Sequence, residues 1–196
     1  MNRYQDLSLF RVPAGFRGRN GGVVQLWWLV QATLFGLSPQ FAYRWRRMLL
    51  RLFGAQIGTG VIIRPTARIT YPWKVEIGDH SWIGDHATLY SLDKIRIGAH
   101  CCLSQHSYLA TAGHDTRRIS FDYVTGPILV EDEVWIASGA FVMPGLRIAR
   151  GAVIAAGAVL TSEVEEAAIM AGVPARRIGT RARADAGQDT AANGER

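Results

Sequence analysis

From Ile57 to Leu109 an aliphatic residue stands at every sixth position: Ile57, Ile63 and Ile69, then Ile77, Ile83 and Leu89, then Ile97, Leu103 and Leu109. The count resumes at Val130, Ile136 and Val142 and runs on through Ile148, Ile154 and Leu160, so that all fifteen positions are Ile, Leu or Val. Four residues after each, the side chain is small in twelve of the fifteen cases; the exceptions are Trp73, Asp93 and Leu146. A period of six is neither helical nor a plain strand alternation. It fits a coil with three flat sides, each a short strand that turns one large and one small residue inward, with tight turns between them. The first three sets start twenty residues apart, which places two inserted residues at one corner of each coil, and the corners Lys74-Val75-Glu76 and Lys94-Ile95-Arg96 look alike. Gly58, Gly78, Gly84 and Gly98 follow aliphatic positions, where a missing Cβ relieves crowding. Each such coil buries its apolar side only against its neighbours. The expected fold is therefore an all-β solenoid of about five coils over residues 54–179.

The register breaks once. Leu109 and Val130 are twenty-one residues apart instead of six, leaving an excursion over residues 114–127 that holds His114, Asp115, Arg117, Arg118, Phe121, Asp122 and Tyr123. A polar and aromatic loop on a regular scaffold is where a site is expected. Residues 1–53 form an arm: an apolar helix over residues 23–35 ended by Ser38-Pro39, then a second helix with interleaved arginines that stops at Gly54. Two readings of it compete, a cap on the open end of the solenoid and a helix pair lying in a membrane interface. Capping is favoured, because an exposed coil end must be covered. From about Thr180 to residue 196 the sequence loses all periodicity and reads as a disordered tail.

The chain has 196 residues, 48% of them hydrophobic and 19% charged, with a formal net charge of +6. Eight arginines against Asp6 alone give residues 1–51 a charge of +7, so the remainder carries 6 − 7 = −1. The folded body thus lacks the clustered basic surface that nucleic acid requires, whereas the basic, apolar arm points to peripheral contact with an anionic membrane surface. Cys101 and Cys102 are neighbours, the only cysteines, and fit neither a disulfide framework nor a zinc spacing. With no signal peptide discernible, and an apolar run of fifteen residues against the roughly 20 needed to span a bilayer, the expected location is the cytoplasm, with the inner face of the membrane as an option.

The hexad resembles the left-handed parallel β-helix of the hexapeptide-repeat acyltransferases. Within them, the segments Leu109-Ala110-Thr111-Ala112-Gly113-His114, Gly126-Pro127-Ile128, Val134-Trp135-Ile136, Met143-Pro144-Gly145 and Ala171-Gly172-Val173-Pro174-Ala175-Arg176 resemble the maltose, galactoside and nodulation-factor O-acetyltransferases. The Arg-rich helix running into Gly54-Ala55-Gln56-Ile57-Gly58, with Ser104-Gln105-His106-Ser107-Tyr108, brings the chain nearest to the colanic acid biosynthesis type. The resemblance implies the left hand, an acetyl-CoA co-substrate, a sugar or lipid-linked oligosaccharide acceptor in exopolysaccharide synthesis, a homotrimer and His114 as catalytic base. Imidazole suits that role, since a sugar hydroxyl is a poor nucleophile until its proton is taken. The partner that orients His114 is left open between Asp115, Asp122 and a backbone carbonyl; maltose-type members carry Pro where this chain has Asp115. By position, Trp135, Ser138, Ala156, Thr161 and Arg176 are expected to line the acetyl-CoA groove. Where relatives often have Lys the chain has Ser162, and Arg176 or Arg177 would supply the charge.

Two other readings stand beside this one. The solenoid could be a non-catalytic scaffold. Alternatively, the pairs His80/His100 and His86/His106, each twenty residues apart, would stack on outer faces and invite comparison with gamma-class carbonic anhydrases, which share the fold and hold zinc with three histidines. Their spacing does not match that zinc motif, so solvated ladder residues are the better reading and no metal is expected.

Overall fold

The structure, a computed structural model, describes residues 3–183. The strands sort onto three faces. The first holds Gln56–Ile57, Val75–Ile77, Ile95–Ile97, Ile128–Val130 and Arg147–Ile148; the third holds Arg68–Ile69, Thr88–Tyr90, Tyr108–Ala110, Phe141–Val142 and Val159–Leu160. The second runs Ile62–Ile63, Trp82–Ile83, Cys102–Leu103, Trp135–Ile136, Val153–Ile154 and Ala168–Ala171. Ladders between coils are parallel and in register with the repeat: Ile57 opposite Ile77, Ile63 opposite Ile83, Ile69 opposite Leu89. Five coils are complete. A sixth begins with a bridge from Val164 to Ile148 and the pairing of Ile154 with Met170, one partial coil more than the period alone marks.

All fifteen aliphatic hexad positions are buried, and so are most of the small residues four positions on, such as Val61, Ala87, Ser107 and Ala152. The three large exceptions are partly buried residues at the corner that leaves the third face, where the inserted residues lie. There Val75 and Ile95 add a second buried aliphatic residue to the first face. The glycines after aliphatic positions answer to close approach between coils. A Cβ on Gly78 would lie 2.6 Å from the Ala99 nitrogen, and one on Gly84 would lie 2.8 Å from the Ser104 carbonyl carbon.

Helix α1 spans Gly21–Val30, capped by the Asn20 side chain on the Val23 amide, and passes into a π-helical turn over Gln31–Phe35. The expected single helix over residues 23–35 thus starts two residues earlier and changes pitch at Gln31. Helix α2 spans Tyr43–Leu52. Together they cover the first coil, whose edge presents carbonyls with no further strand to satisfy them. Arg51 donates to the Ile57 carbonyl, Arg47 to Val61, and Arg46 to Ile63, while the Trp27 indole donates to Ile69 and the Gln31 amide oxygen accepts from the Ile69 amide. Every face of the open end is met by at least one arm side chain. Arg46, fully buried, also reaches Ser38 Oγ and the carbonyls of Pro39 and Gln40. The arm's positive charge, read from sequence as a membrane signal, therefore has in these three arginines a structural use.

At the far end a last strand closes the solenoid. Arg176–Thr180 turns back antiparallel onto Ala168–Ala171, and the Arg181 amide donates to the Ala167 carbonyl. Regular structure thus ends at Thr180, within a residue of where the tail was expected to begin, and residues 184–196 of that tail lie outside the described residues.

Candidate active site

The excursion begins as a hairpin. Ala112–His114 pairs antiparallel with Tyr123–Thr125, His114 opposite Tyr123, and turns tighten residues 115–121 between them. His114 is solvent-exposed on one side. Its ring stacks on Phe121, with centroids 4.2 Å apart and planes at 8°, and Tyr123 lies 4.8 Å away. Phe121 has φ +53, a strained value for a bulky residue. That conformation aims its carbonyl at His114 Nδ1, 2.6 Å distant. A carbonyl only accepts, so Nδ1 carries the proton and Nε2 presents its lone pair outward. Nε2 has no hydrogen-bond partner among the described residues.

The partner of Nδ1 is thus the backbone carbonyl, and neither Asp115 nor Asp122 bonds to the ring. Asp115 accepts from the Arg117 guanidinium and amide at 3.0 Å each, and Asp122 pairs with Arg118 at 3.1 Å. Hydrogen bonds from Arg117 hold the Asp115 carboxyl below its usual value. Both acids stiffen the loop instead of touching the imidazole.

The reading of the sequence missed the contribution of the first twenty residues. The Asp6 amide donates to the Ile119 carbonyl of the loop; Phe10 meets the Tyr123 ring edge-on at 5.0 Å and lies 6.0 Å from His114; Phe16 stacks on Tyr123 at 5.0 Å and 6°. The segment is anchored below, where the Trp73 indole donates to Arg17 and Lys74 to Phe16 and Leu92. A strap therefore crosses the loop and packs the aromatic wall behind His114. Its signal was weak, being isolated aromatics in a segment without periodicity. Tyr90, under the same wall, has its phenol pushed up to about 12 by burial and by the neighbouring Tyr123 and Tyr108 phenols, which removes it as a base near neutrality.

The residues expected to line the donor groove are dispersed on a single chain. Trp135 stands outward on the second face, its indole donating to Ser104 Oγ at 3.0 Å. Ser138 and Ala156 are exposed at the turns between second and third faces, Ser138 bonded to Gln105 at 3.1 Å. Thr161 is exposed where the chain leaves the third face, the corner from which the His114 loop also springs, and Arg176 lies on the returning strand. One protomer does not gather them around His114.

The histidine ladders form as two separate stacks. His80 and His100 have centroids 5.3 Å apart, His86 and His106 4.9 Å apart, all four at φ near +57 in the turns. Gly60 and Gly151 occupy the equivalent place in the first of these columns. Among the described residues no three His, Cys, Asp or Glu side chains converge as a metal site. On this chain the four histidines are thus stacked turn residues in two separate pairs.

Comparison with known proteins settles the family. The chain is 50% identical over 171 residues to WcaF of Escherichia coli (strain K12), assigned as a colanic acid biosynthesis acetyltransferase, covering 87% of this chain and 94% of that one. This chain belongs to the hexapeptide-repeat acetyltransferases. It is also 26% identical over 136 residues to the galactoside O-acetyltransferase of E. coli (strain K12), 68% of this chain and 67% of the relative. No family model matches. Among solved structures, the hexapeptide-repeat acetyltransferase VCA0836 of Vibrio cholerae complexed with acetyl coenzyme A superposes with a TM-score of 0.74 at 23% identity, over 83% of this chain and 88% of that one. A galactoside acetyltransferase in complex with coenzyme A gives 0.76 at 22%, over 86% and 84%. The fold is the left-handed β-helix of these enzymes, and the chain is an acyltransferase.

Proposed function

We propose that this acetyltransferase moves an acetyl group from acetyl-CoA to a sugar hydroxyl of an exopolysaccharide precursor, with His114 as general base. The observation that carries this reading is the exposed imidazole itself, with Nδ1–H fixed on the Phe121 carbonyl at 2.6 Å and Nε2 without a hydrogen-bond partner among the described residues. The acceptor hydroxyl attacks the thioester carbonyl as Nε2 takes its proton, a C–O bond forms, and the negative charge collects on the carbonyl oxygen. Collapse breaks the C–S bond, and the imidazolium returns the proton to the departing thiolate. The coenzyme-bound neighbours support the donor, and the 50% relative supports the class of acceptor.

Trp135, Ser138, Ala156, Thr161 and Arg176 are assigned to the donor groove. Their dispersal on one chain supports a site completed by a neighbouring protomer, and we assign a homotrimer in which the His114 loop of one solenoid faces the groove of the next. Residues 54–179 then form the catalytic unit, residues 114–127 its acceptor loop and residues 1–53 the arm. The proposed location is the cytoplasm, where acetyl-CoA is supplied. No helix among the described residues is long and apolar enough to cross a membrane.

The test is thiol release from acetyl-CoA with oligosaccharide precursors, comparing wild type with His114→Ala. The variant should keep the wild-type melting temperature and lose turnover by about 10²-fold or more. A folded variant with undiminished turnover would remove His114 from the chemistry.

A further inference from the structure

The inner faces of the two arm helices close the solenoid, and on their outer side several large apolar residues remain uncovered. Leu29 is 61% exposed, Leu37 81% and Phe41 81%, with Leu34, Trp45 and Met48 exposed between and beside them. Leu34, Leu37 and Trp45 share one surface. The Trp45 indole donates to the Leu34 carbonyl, tying α2 to the π-helical turn, and Leu34, Leu37, Pro39, Ala42 and Trp45 line a shallow concavity of about 460 Å³. Contiguous exposed apolar surface of this kind marks an interaction site.

The segment that builds it carries charge of one sign along the chain. Between Asp6 and Glu76 there is no Asp or Glu, while the same stretch carries nine Arg and Lys74. Arg46, Arg47 and Arg51 are bonded to backbone carbonyls, and a carbonyl accepts a hydrogen bond without cancelling the charge. Arg44 is exposed beside Trp45. Two copies of this chain docked symmetrically through the patch would set this cationic segment against itself, with no carboxylate of the segment to pair across the contact. Apolar side chains, an interfacial Trp and surrounding cations suit an anionic lipid surface instead.

We propose that the outer face of the arm, through Leu29, Leu34, Leu37, Phe41, Trp45 and Arg44, docks this enzyme onto an anionic lipid bilayer. The helices lie in the headgroup region without crossing it. The inference does not depend on which acceptor is acetylated.

The experiment is flotation of the intact protein with phosphatidylglycerol/phosphatidylethanolamine vesicles and with phosphatidylcholine vesicles, with sedimentation in the absence of lipid. Wild type should float with the anionic vesicles and bind the zwitterionic ones several-fold more weakly. Leu37→Asp/Phe41→Asp should reduce the floated fraction about tenfold or more, because both side chains lose their apolar contact. Leu29→Asp is the second variant should the first melt lower than wild type. Failure of wild type to float, equal flotation with both vesicle types, or undiminished flotation of a folded variant would each overturn the proposal. So would a variant that changes only the sedimenting mass of the lipid-free protein, since the patch would then belong to a second copy.

Discussion

With Nδ1 committed to the Phe121 carbonyl, His114 needs no acid to choose its tautomer, and the neighbouring carboxylates serve the loop. Asp115→Asn and Asp122→Asn should therefore each keep kcat/KM within about tenfold of wild type, against about 10²–10⁴-fold for loss of the base; steady-state kinetics on the folded variants check this, and a loss in either Asn variant comparable to His114→Ala would restore a carboxylate to the site. His114 itself stands out as a candidate because it sits where the hexad breaks and matches a family segment. The partner of its Nδ1 was not legible, because a carbonyl leaves no trace in side-chain identity and depends on the backbone of Phe121. The cysteines offer a second residue-scale test. Burial pushes the Cys101 thiol up to about 11, and its Sγ donates to the Glu131 carbonyl, so it stays protonated near neutrality. Native alkylation with iodoacetamide, read by mass spectrometry, should leave Cys101 unmodified and modify only the partly exposed Cys102.

Among elements, the capping helix α2 shows how a charge can be stabilised without a counter-charge. Arg46 is fully buried and donates to Ile63, Ser38, Pro39 and Gln40. Replacing it with Met would leave several buried acceptors unpaired and should cost about 3 kcal/mol. Arg44→Met, at an exposed position on the same helix, should stay within about 0.5 kcal/mol; urea unfolding measures both. The sequence showed that the arm holds two helices and eight arginines, and left open what those arginines do. Helical periodicity places a residue on a face, but which carbonyls of the first coil lie within reach is a tertiary fact. The strands offer a matching case, since the spacing of Gly78 already hinted at crowding. A Cβ there would meet backbone of the next coil at 2.6 Å, where nothing flexible can yield. Gly78→Ala should destabilise by about 3 kcal/mol or more, seen as a lowered Tm.

For the whole molecule, the solenoid was the most legible feature, because every coil repeats one inward pattern and each repeat tests the last. The fifteen hexad residues are buried as that pattern requires. The aromatic strap of Phe10 and Phe16 across the loop was not legible, since a single long-range packing contact has no period to betray it. The proposed donor groove is the same kind of problem one level higher, because the residues assigned to it are spread over separate corners of one solenoid and would meet only with a second solenoid beside the first. A crystal structure of the enzyme with coenzyme A examines base, groove and assembly together. It should show the coenzyme between two protomers of a trimer, its sulfur within roughly 4 Å of Nε2 of His114, either directly or through one bound hydroxyl. A coenzyme held on a single protomer, or a sulfur remote from every His114 imidazole in the assembly, would contradict the account.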